Sequence, residues 1–178
     1  MGARVLGAAG SEDQAVLLPE RFEQFYEREY AGLVRLALVL SGSRNAAEDI
    51  TQDALLAAWR DWSRIDQPLA WTRRVVANLA ASSVRRRLIE ARALARVVAR
   101  RQVVVAELPA EPAAFWAAVR ALPKRQAQAV ALYYLEDLPV ADIAVTLRVA
   151  EGTVRASLHK ARAALARRLQ VDGGEEQR

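Results

Sequence analysis

Apolar side chains recur at helical spacing along almost the whole chain, and the strict alternation typical of β-strands is nearly absent. The first such run ends near Ser41-Gly42 and comprises Phe22, Phe25, Tyr26, Leu33, Leu36, Ala37 and Leu40. Residues three and four positions apart share one face of a helix, so this run predicts an amphipathic helix that begins near Arg21. We therefore expect an all-α fold.

Sequence signals at helix ends divide the rest of the chain into further helices. Asn45 followed by Glu48 is typical of a capping box, and it predicts a second helix that extends to about Trp62. Proline is tolerated in the first turn of a helix, so a third helix is expected from Pro68 to about Arg101. The second half predicts helices over residues 113–121, 123–135, 139–147 and 152–170.

A change in composition after residue 101 indicates a boundary between two domains. Three valines at 103–105 are followed by Pro109 and Pro112, and proline disfavours a helix at its own position and at the preceding one. The predicted organisation is a flexible leader at 1–18, a helical domain at 19–101, a linker at 102–112, a second helical domain at 113–170 and a tail at 171–178.

Charge is arranged in blocks of alternating sign that the net charge of +5 conceals. Residues 67–105 carry a net charge of +8 and residues 148–170 carry +5, whereas 11–66 carry −5 and 106–147 carry −2. A partner meets local charge, so the two basic blocks suggest two contacts with nucleic acid. The alternative is that each block is the solvated face of a helix.

Composition excludes several kinds of chemistry. The chain has no cysteine, which rules out disulfides and thiolate nucleophiles, and His159 is its single histidine. A zinc enzyme or a Ser-His-Asp hydrolase would depend on that one imidazole, so the composition disfavours both. No apolar run approaches the roughly 20 residues of a membrane span, and residues 1–10 are too weakly apolar for a signal peptide. We therefore expect a cytoplasmic protein without membrane insertion.

Residues 138–170 have the layout of a helix-turn-helix, with a turn near 148–151 and a long second helix. At 100° per residue, one stripe of that helix, its predicted core face, carries Val154, Leu158, Ala161 and Leu165. The opposite face carries Thr153, Arg155, Ala156, His159 and Lys160. Small residues let the backbone approach DNA, and Arg155 and Lys160 supply charge for phosphate or base contacts. The alternative is an ordinary exposed face, and in either case His159 is a polar surface residue rather than a metal ligand.

Two sets of motifs resemble the bacterial sigma factors of the extracytoplasmic-function type. In the second half, the residues similar to region 4 of that family are Leu135–Leu138, Ala141–Ala144, Glu151–Arg155 and Leu158–Arg162. In the first half, the residues similar to regions 2.2 to 2.4 are Ala47–Asp53, Ala57–Trp59, Ala70–Trp71, Arg74–Ala80 and Arg85–Arg87. The resemblance covers about residues 22–170. It implies two small helical domains, a region 2 bundle and a region 4 helix-turn-helix, joined by a linker.

The resemblance implies a dissociable promoter-specificity subunit of bacterial RNA polymerase, without a catalytic residue, metal or cofactor of its own. Its first domain would engage the −10 element of promoter DNA through Trp71, Arg74, Asn78, Ser82, Arg85 and Arg86. Its second domain would engage the −35 element through Thr153, Arg155, Ala156, His159 and Lys160. On the third helix, most of the −10 set form one polar stripe, on which arginine can hold the backbone while Trp71 and Asn78 read or stack on an unpaired base. The alternative for Trp71 is a core aromatic.

The acidic second helix is assigned by the resemblance to docking on the clamp helices of the largest polymerase subunit. The residues concerned are Asp49, Gln52, Asp53, Leu56 and Trp59. The second domain is similarly assigned to the flap of the second-largest subunit, and an anti-sigma factor is a further candidate partner. From the residues alone, Asp49 and Asp53 also fit a solvated face or a metal site with Glu48.

Two other functions remain open at this point. A helix-turn-helix regulator that acts without joining polymerase would have no need of the acidic second helix. A magnesium-dependent nuclease would need Glu48, Asp49 and Asp53 as metal ligands.

The chain departs from the sigma factor pattern at four positions of the helix-turn-helix. Arg148 stands where glycine is usual in the turn, and Ser157 stands where a basic residue is frequent. Pro139 and Ala150 stand where a capping serine is common, and losing a cap hydroxyl typically costs about 1 kcal/mol. These departures bear on the −35 contacts more than on the fold.

Overall fold

The computed structural model describes the backbone of residues 21–95 and 110–175 and the side chains of residues 21–84 and 113–169. These residues contain seven α-helices. The helices are α1 (Phe22–Ser41), α2 (Arg44–Arg60), α3 (Pro68–Ala95), α4 (Ala110–Arg120), α5 (Lys124–Tyr134), α6 (Val140–Leu147) and α7 (Glu151–Glu175). One turn of 3-10 helix, Trp62–Arg64, follows α2. These helices confirm the predicted all-α fold. The predicted leader at 1–18, most of the linker at 102–112 and the last three residues of the tail lie outside the described residues.

Gly42 ends α1 at the predicted position. Its φ of 72° is left-handed, and its N–H donates to the Leu38 carbonyl at 2.7 Å. A Cβ at this position would lie 2.7 Å from Nε of Arg120, a side chain from α4. Glycine suits this position for two reasons: it adopts the left-handed backbone without strain, and the Arg120 side chain occupies the space that a Cβ would need.

The predicted capping box at Asn45 and Glu48 is wrong. Ser43 is the N-cap of α2, because its extended backbone directly follows the left-handed Gly42 and its hydroxyl accepts from the N–H of Ala46 at 3.5 Å. Asn45 lies inside the helix, and Glu48 instead accepts from Nε of Arg44 one turn earlier, at 3.3 Å. The helix consequently starts before the position that the motif predicted.

Helices α1, α2 and α3 pack together as the first domain. The fully or almost fully buried side chains of this bundle include Phe25, Leu33, Leu36, Leu55 and Val76. Two buried threonines, Thr51 and Thr72, donate their hydroxyls to the carbonyls four residues earlier in their own helices, both at 2.8 Å. No hydroxyl of this pair is therefore left unsatisfied in the core.

Helices α4 to α7 form the second domain. The predicted core stripe of α7 is confirmed, because Val154, Leu158, Ala161 and Leu165 are all buried. They pack with buried side chains of the preceding helices, which include Val119, Val130, Leu132 and Ile143. Helix α4 begins at Ala110, before the expected start at 113, since Pro112 falls in its first turn, where the missing N–H costs no helical hydrogen bond.

The two domains contact each other. Their buried side chains form one continuous apolar cluster, with α1 against α4 and α5 and with α3 against α6. Polar groups also cross this boundary: Arg120 of α4 donates from Nη1 to the Val39 carbonyl in the last turn of α1 at 3.1 Å. A cation is favourable there because the last carbonyls of a helix lack intrahelical partners. Burial lowers the pKa of this guanidinium.

Candidate nucleic-acid and protein interfaces

The turn of the helix-turn-helix forms without the glycine that the sequence pattern led us to expect. Arg148 adopts a left-handed backbone, with φ of 53°, and its N–H donates to the Val145 carbonyl at 3.2 Å. The next N–H, that of Val149, donates to the Ala144 carbonyl at 3.0 Å. This conformation costs a residue with a Cβ about 1–2 kcal/mol. The capping hydrogen bonds of α6 offset part of that cost.

The predicted −35 residues share one solvent-facing side of α7. Exposed residues on it are Thr153, Arg155, Ala156, His159 and Lys160. Arg155 pairs with Glu151 one turn earlier, at 2.6 Å, and an exposed pair of this kind is worth only about 0.3–0.5 kcal/mol. Arg155 can therefore exchange this partner for a phosphate or a base at little cost. The structure brings the five residues together, and their contact with DNA stays a prediction.

The predicted −10 residues of α3 are less accessible. Trp71, Arg74 and Asn78 are half-buried, and Ser82 is exposed, with its hydroxyl donating to the Asn78 carbonyl at 3.0 Å. Oδ1 of Asn78 accepts a hydrogen bond at 3.1 Å from Nε2 of Gln128, a side chain of the second domain. The side chains of Arg85 and Arg86 lie outside the described residues. The polar stripe of α3 is thus partly covered by the other half of the molecule.

A cleft of about 830 Å³ lies between the start of α3 and the turn before α7. Its lining includes Trp71, Arg74 and Arg64 on one side and Arg148 on the other. Burial, and to a lesser extent the charge of Arg148, lower the pKa of Arg74. Trp71 is therefore neither a core aromatic nor fully exposed, and it lies beside guanidinium groups that suit a phosphate-rich ligand.

The exposed side of α2 carries the five residues predicted to bind polymerase. Asp49, Gln52 and Asp53 are exposed, and beside them 46% of Leu56 and 59% of Trp59 are open to solvent. Large apolar side chains bordered by charge are typical of a protein-docking surface. Among the described side chains no three His, Asp or Glu residues are grouped as a metal site requires, so the structure gives the metal-site alternative no support.

Sequence reasoning missed the polar contacts between the two domains. Both guanidinium nitrogens Nε and Nη2 of Arg73 donate to Oε2 of Glu136, at 2.9 and 2.6 Å, and Arg35 lies 3.8 Å from the other carboxylate oxygen. Gln128 is completely buried at the same boundary. These residues lie 50 or more positions from their partners, and helical periodicity carries no signal about pairing across such separations.

Known families match both halves of the chain. The model of Sigma-70 region 2 matches residues 25–88, and the model of Sigma-70, region 4 matches residues 113–165. The chain is also 35% identical over 154 residues to the ECF RNA polymerase sigma factor SigM of Mycobacterium tuberculosis, an alignment that covers 83% of this chain and 76% of SigM. The chain belongs to the extracytoplasmic-function (ECF) sigma factors of RNA polymerase.

Two further comparisons agree with this sigma factor assignment. The ECF RNA polymerase sigma factor SigE of Mycolicibacterium smegmatis is 32% identical over 173 residues, covering 90% of this chain and 65% of SigE. The sigma factor RpoE of Bartonella quintana, solved in complex with the anti-sigma factor NepR, matches with a TM-score of 0.65 and 25% identity, over 85% of this chain and 98% of RpoE.

The sigma factor identity assigns each domain. Helices α1 to α3 contain region 2, and α4 to α7 contain region 4. As a sigma factor, the protein binds core RNA polymerase and promoter DNA in transcription initiation. A regulator that acts without polymerase is not favoured, because the match includes region 2 as well as the helix-turn-helix. Among the helices in the described part of the sigma factor, none is long and apolar enough to cross a bilayer.

Proposed function

We propose that this sigma factor divides its contacts among three helices. The exposed side of α2 docks on the clamp helices of the largest polymerase subunit, the polar stripe of α3 binds the −10 element, and α7 binds the −35 element. The observation that carries the proposal is the α2 surface, on which Leu56 and Trp59 stay open to solvent beside the exposed Asp49 and Asp53. A regulator that binds only DNA has no use for such a surface.

At the −10 element, we assign the unpaired base to Trp71 and Asn78 and the phosphates to Arg74. An indole can stack on any base, and an amide can hydrogen-bond to a base edge, so the two side chains suit a strand that has left the duplex. Guanidinium groups bind phosphate through paired N–H donors. Ser82, Arg85 and Arg86 extend this assignment along the same helix.

At the −35 element, we assign α7 to the major groove. An exposed helix face that carries Thr153, Ala156 and His159 together with Arg155 and Lys160 combines small contacts with positive charge. The half-buried Ser157 donates its hydroxyl to the Thr153 carbonyl at 2.7 Å, which leaves it turned toward its own helix. The base contacts of this sigma factor therefore come from its neighbours rather than from Ser157.

The remaining assignments follow from the sigma factor role. Region 4 docks on the flap of the second-largest polymerase subunit, and the sigma factor itself supplies no catalytic residue, metal or cofactor, since RNA synthesis belongs to the core enzyme. Core polymerase is cytoplasmic in bacteria, so we assign the same location to this protein. The complex of RpoE with NepR supports an anti-sigma factor as a further partner here.

The test combines transcription with charge reversal on α2. Core polymerase and a promoter library are mixed with the wild-type sigma factor, with the double variant Asp49→Lys/Asp53→Lys, or with the control Glu27→Lys on the exposed side of α1. We expect promoter-dependent transcripts with the wild type and the control, and loss of both core binding and transcripts with the double variant. Core binding unchanged by the double reversal contradicts the α2 assignment. Absence of any transcript above core alone contradicts the proposed function.

A further inference from the structure

The cleft of about 830 Å³ is walled by both regions of the sigma factor. Trp71 and Arg74 of α3 and Arg64 of the 3-10 turn belong to region 2, whereas Val145 and Arg148 belong to region 4. Its volume falls within the range of small-molecule sites, which is about 300–1,000 Å³. None of the residues that we assign to polymerase or to the −35 element is in its lining.

Positive charge in this cleft is not neutralised by the part of the protein that the structure describes. Three guanidinium groups of the lining form no salt bridge with another described residue: those of Arg64, Arg74 and Arg148. Two carboxylates also line the cleft, but Glu151 pairs with Arg155 at 2.6 Å, which leaves only Asp66 to oppose the three cations. Burial and, to a lesser extent, the charge of Arg148 lower the pKa of Arg74. An anion between these two side chains would relieve their repulsion.

The backbone of Arg148 adopts a conformation that disfavours a side chain. Its φ of 53° is left-handed, a value that glycine adopts without strain. The residue is nevertheless an arginine, and it lines the cleft on the wall across from Arg74. Strained backbone of this kind persists where the surrounding structure enforces it, and it is concentrated at sites that bind ligands.

The ratio of cations to aromatic rings indicates the kind of ligand. Among the described residues of the lining, the one aromatic side chain is the half-buried Trp71. An indole stacks on one base, whereas three guanidinium groups can hold several phosphates. A DNA strand carries one phosphate for each base. A nucleotide with a phosphate chain carries several phosphates beside a single base, and it therefore fits this lining better.

We propose that the cleft binds a purine nucleotide with a chain of two or three phosphates. The base stacks on Trp71 and contacts the apolar side chain of Val145, 53% of which is exposed, and the phosphates lie between Arg74 and Arg148. A purine covers more of the indole than a pyrimidine does. The site goes beyond the proposed function, because it needs neither polymerase nor promoter DNA. Since its walls come from both regions, the nucleotide favours the arrangement in which they are in contact.

Calorimetric titration of the full-length protein, without polymerase or DNA, tests the site. The probes are GTP, guanosine and inorganic triphosphate, so that the base and the phosphates are also offered separately. We expect GTP to bind one to one and about tenfold more tightly than either part alone. GTP should also raise the melting temperature of the protein, and guanosine should not.

Two substitutions separate the phosphate contacts from the base contact. Arg148→Gly removes a guanidinium and relieves the left-handed strain, so the protein stays folded while its affinities for GTP and for triphosphate fall by the same factor, about tenfold. Trp71→Ala weakens GTP binding about fivefold or more and leaves triphosphate binding unchanged, and Trp71→Phe restores GTP binding. The matched control is Arg167→Ala on the exposed side of α7, outside the cleft, which changes none of these affinities. Circular dichroism verifies the fold, and Arg148→Gly decides the test by itself if Trp71→Ala unfolds.

Three results overturn the nucleotide site. One is the absence of GTP binding to the wild type. Another is GTP binding that Arg148→Gly leaves unchanged, which places the ligand elsewhere. The third is an equal loss of affinity for GTP and for a fluorescent single-stranded DNA pool in Arg148→Gly, which makes the cleft a part of the DNA path. None of these results contradicts the proposed function, which promoter-dependent transcription by the wild type tests separately.

Discussion

Replacement of Gly42 by alanine tests the junction at which α1 ends and α4 approaches. Its φ of 72° costs an alanine about 1–2 kcal/mol. The new Cβ would lie 2.7 Å from Nε of Arg120, so that side chain must move and its hydrogen bond to the Val39 carbonyl is lost. A hydrogen bond from a charged donor contributes about 1.5–3 kcal/mol. We therefore expect Gly42→Ala to lower the free energy of unfolding by about 2.5–5 kcal/mol.

The assay is urea unfolding followed by circular dichroism, and α1 itself provides the control. A Cβ at Gly32 meets nothing within 4 Å, and Gly32 lies inside the helix, so Gly32→Ala should stabilise the protein by about 0.5–1 kcal/mol. In an Arg120→Ala background the cost of Gly42→Ala should fall to the backbone part, about 1–2 kcal/mol. Equal costs in the two backgrounds would show that Arg120 does not depend on the glycine and would refute the reasoning.

Three further predictions concern the core and the two interfaces. Leu158→Ala removes a buried side chain from the core stripe of α7 and should lower the free energy of unfolding by about 2–5 kcal/mol in the same assay. A decrease below about 1 kcal/mol would contradict that packing. Trp59→Ala should change the free energy of unfolding by less than about 1 kcal/mol but weaken core polymerase binding about 30-fold, as measured by fluorescence anisotropy. Unchanged affinity would show that Trp59 is not part of the docking surface. Arg155→Ala and Lys160→Ala should each reduce the slope of log affinity for duplex promoter DNA against log salt by about 0.9, and an unchanged slope excludes a phosphate contact.

Helix positions could be predicted from the sequence where one physical signal acts locally. The apolar spacing predicted the buried faces of α1 and α7, except for Tyr26 of α1, which is exposed, and Gly42 predicted the end of α1. Each of these features depends on residues within one or two turns. The start of α2 could not be predicted in the same way. The pattern at Asn45 and Glu48 is compatible with a cap, but Ser43, directly after the left-handed Gly42, has the extended backbone of an N-cap, so the helix begins at Arg44.

The candidate site was predicted as sets of residues rather than as a geometry. The −35 face of α7 and the polymerase face of α2 are exposed, in agreement with their polar or mixed composition. The stripe of α3 was predicted from the same spacing of 100° per residue, but that spacing cannot show that Asn78 accepts a hydrogen bond from Gln128. A buried glutamine has no sequence signature, because burial of its amide is stable only with hydrogen-bond partners, and these lie 50 and 51 residues away.

The sequence by itself determined the approximate positions of the helices, the order of region 2 and region 4, and the membership of the ECF sigma factors, since periodicity and motifs are properties of neighbouring residues. Only the tertiary structure decided how accessible each predicted interface is. Glu136 and Arg73 are 63 residues apart, and their ion pair forms because the packing of α3 against region 4 brings them to 2.6 Å in a space with little water. Such a contact depends on the shape and burial of the whole interface, and no local pattern encodes it.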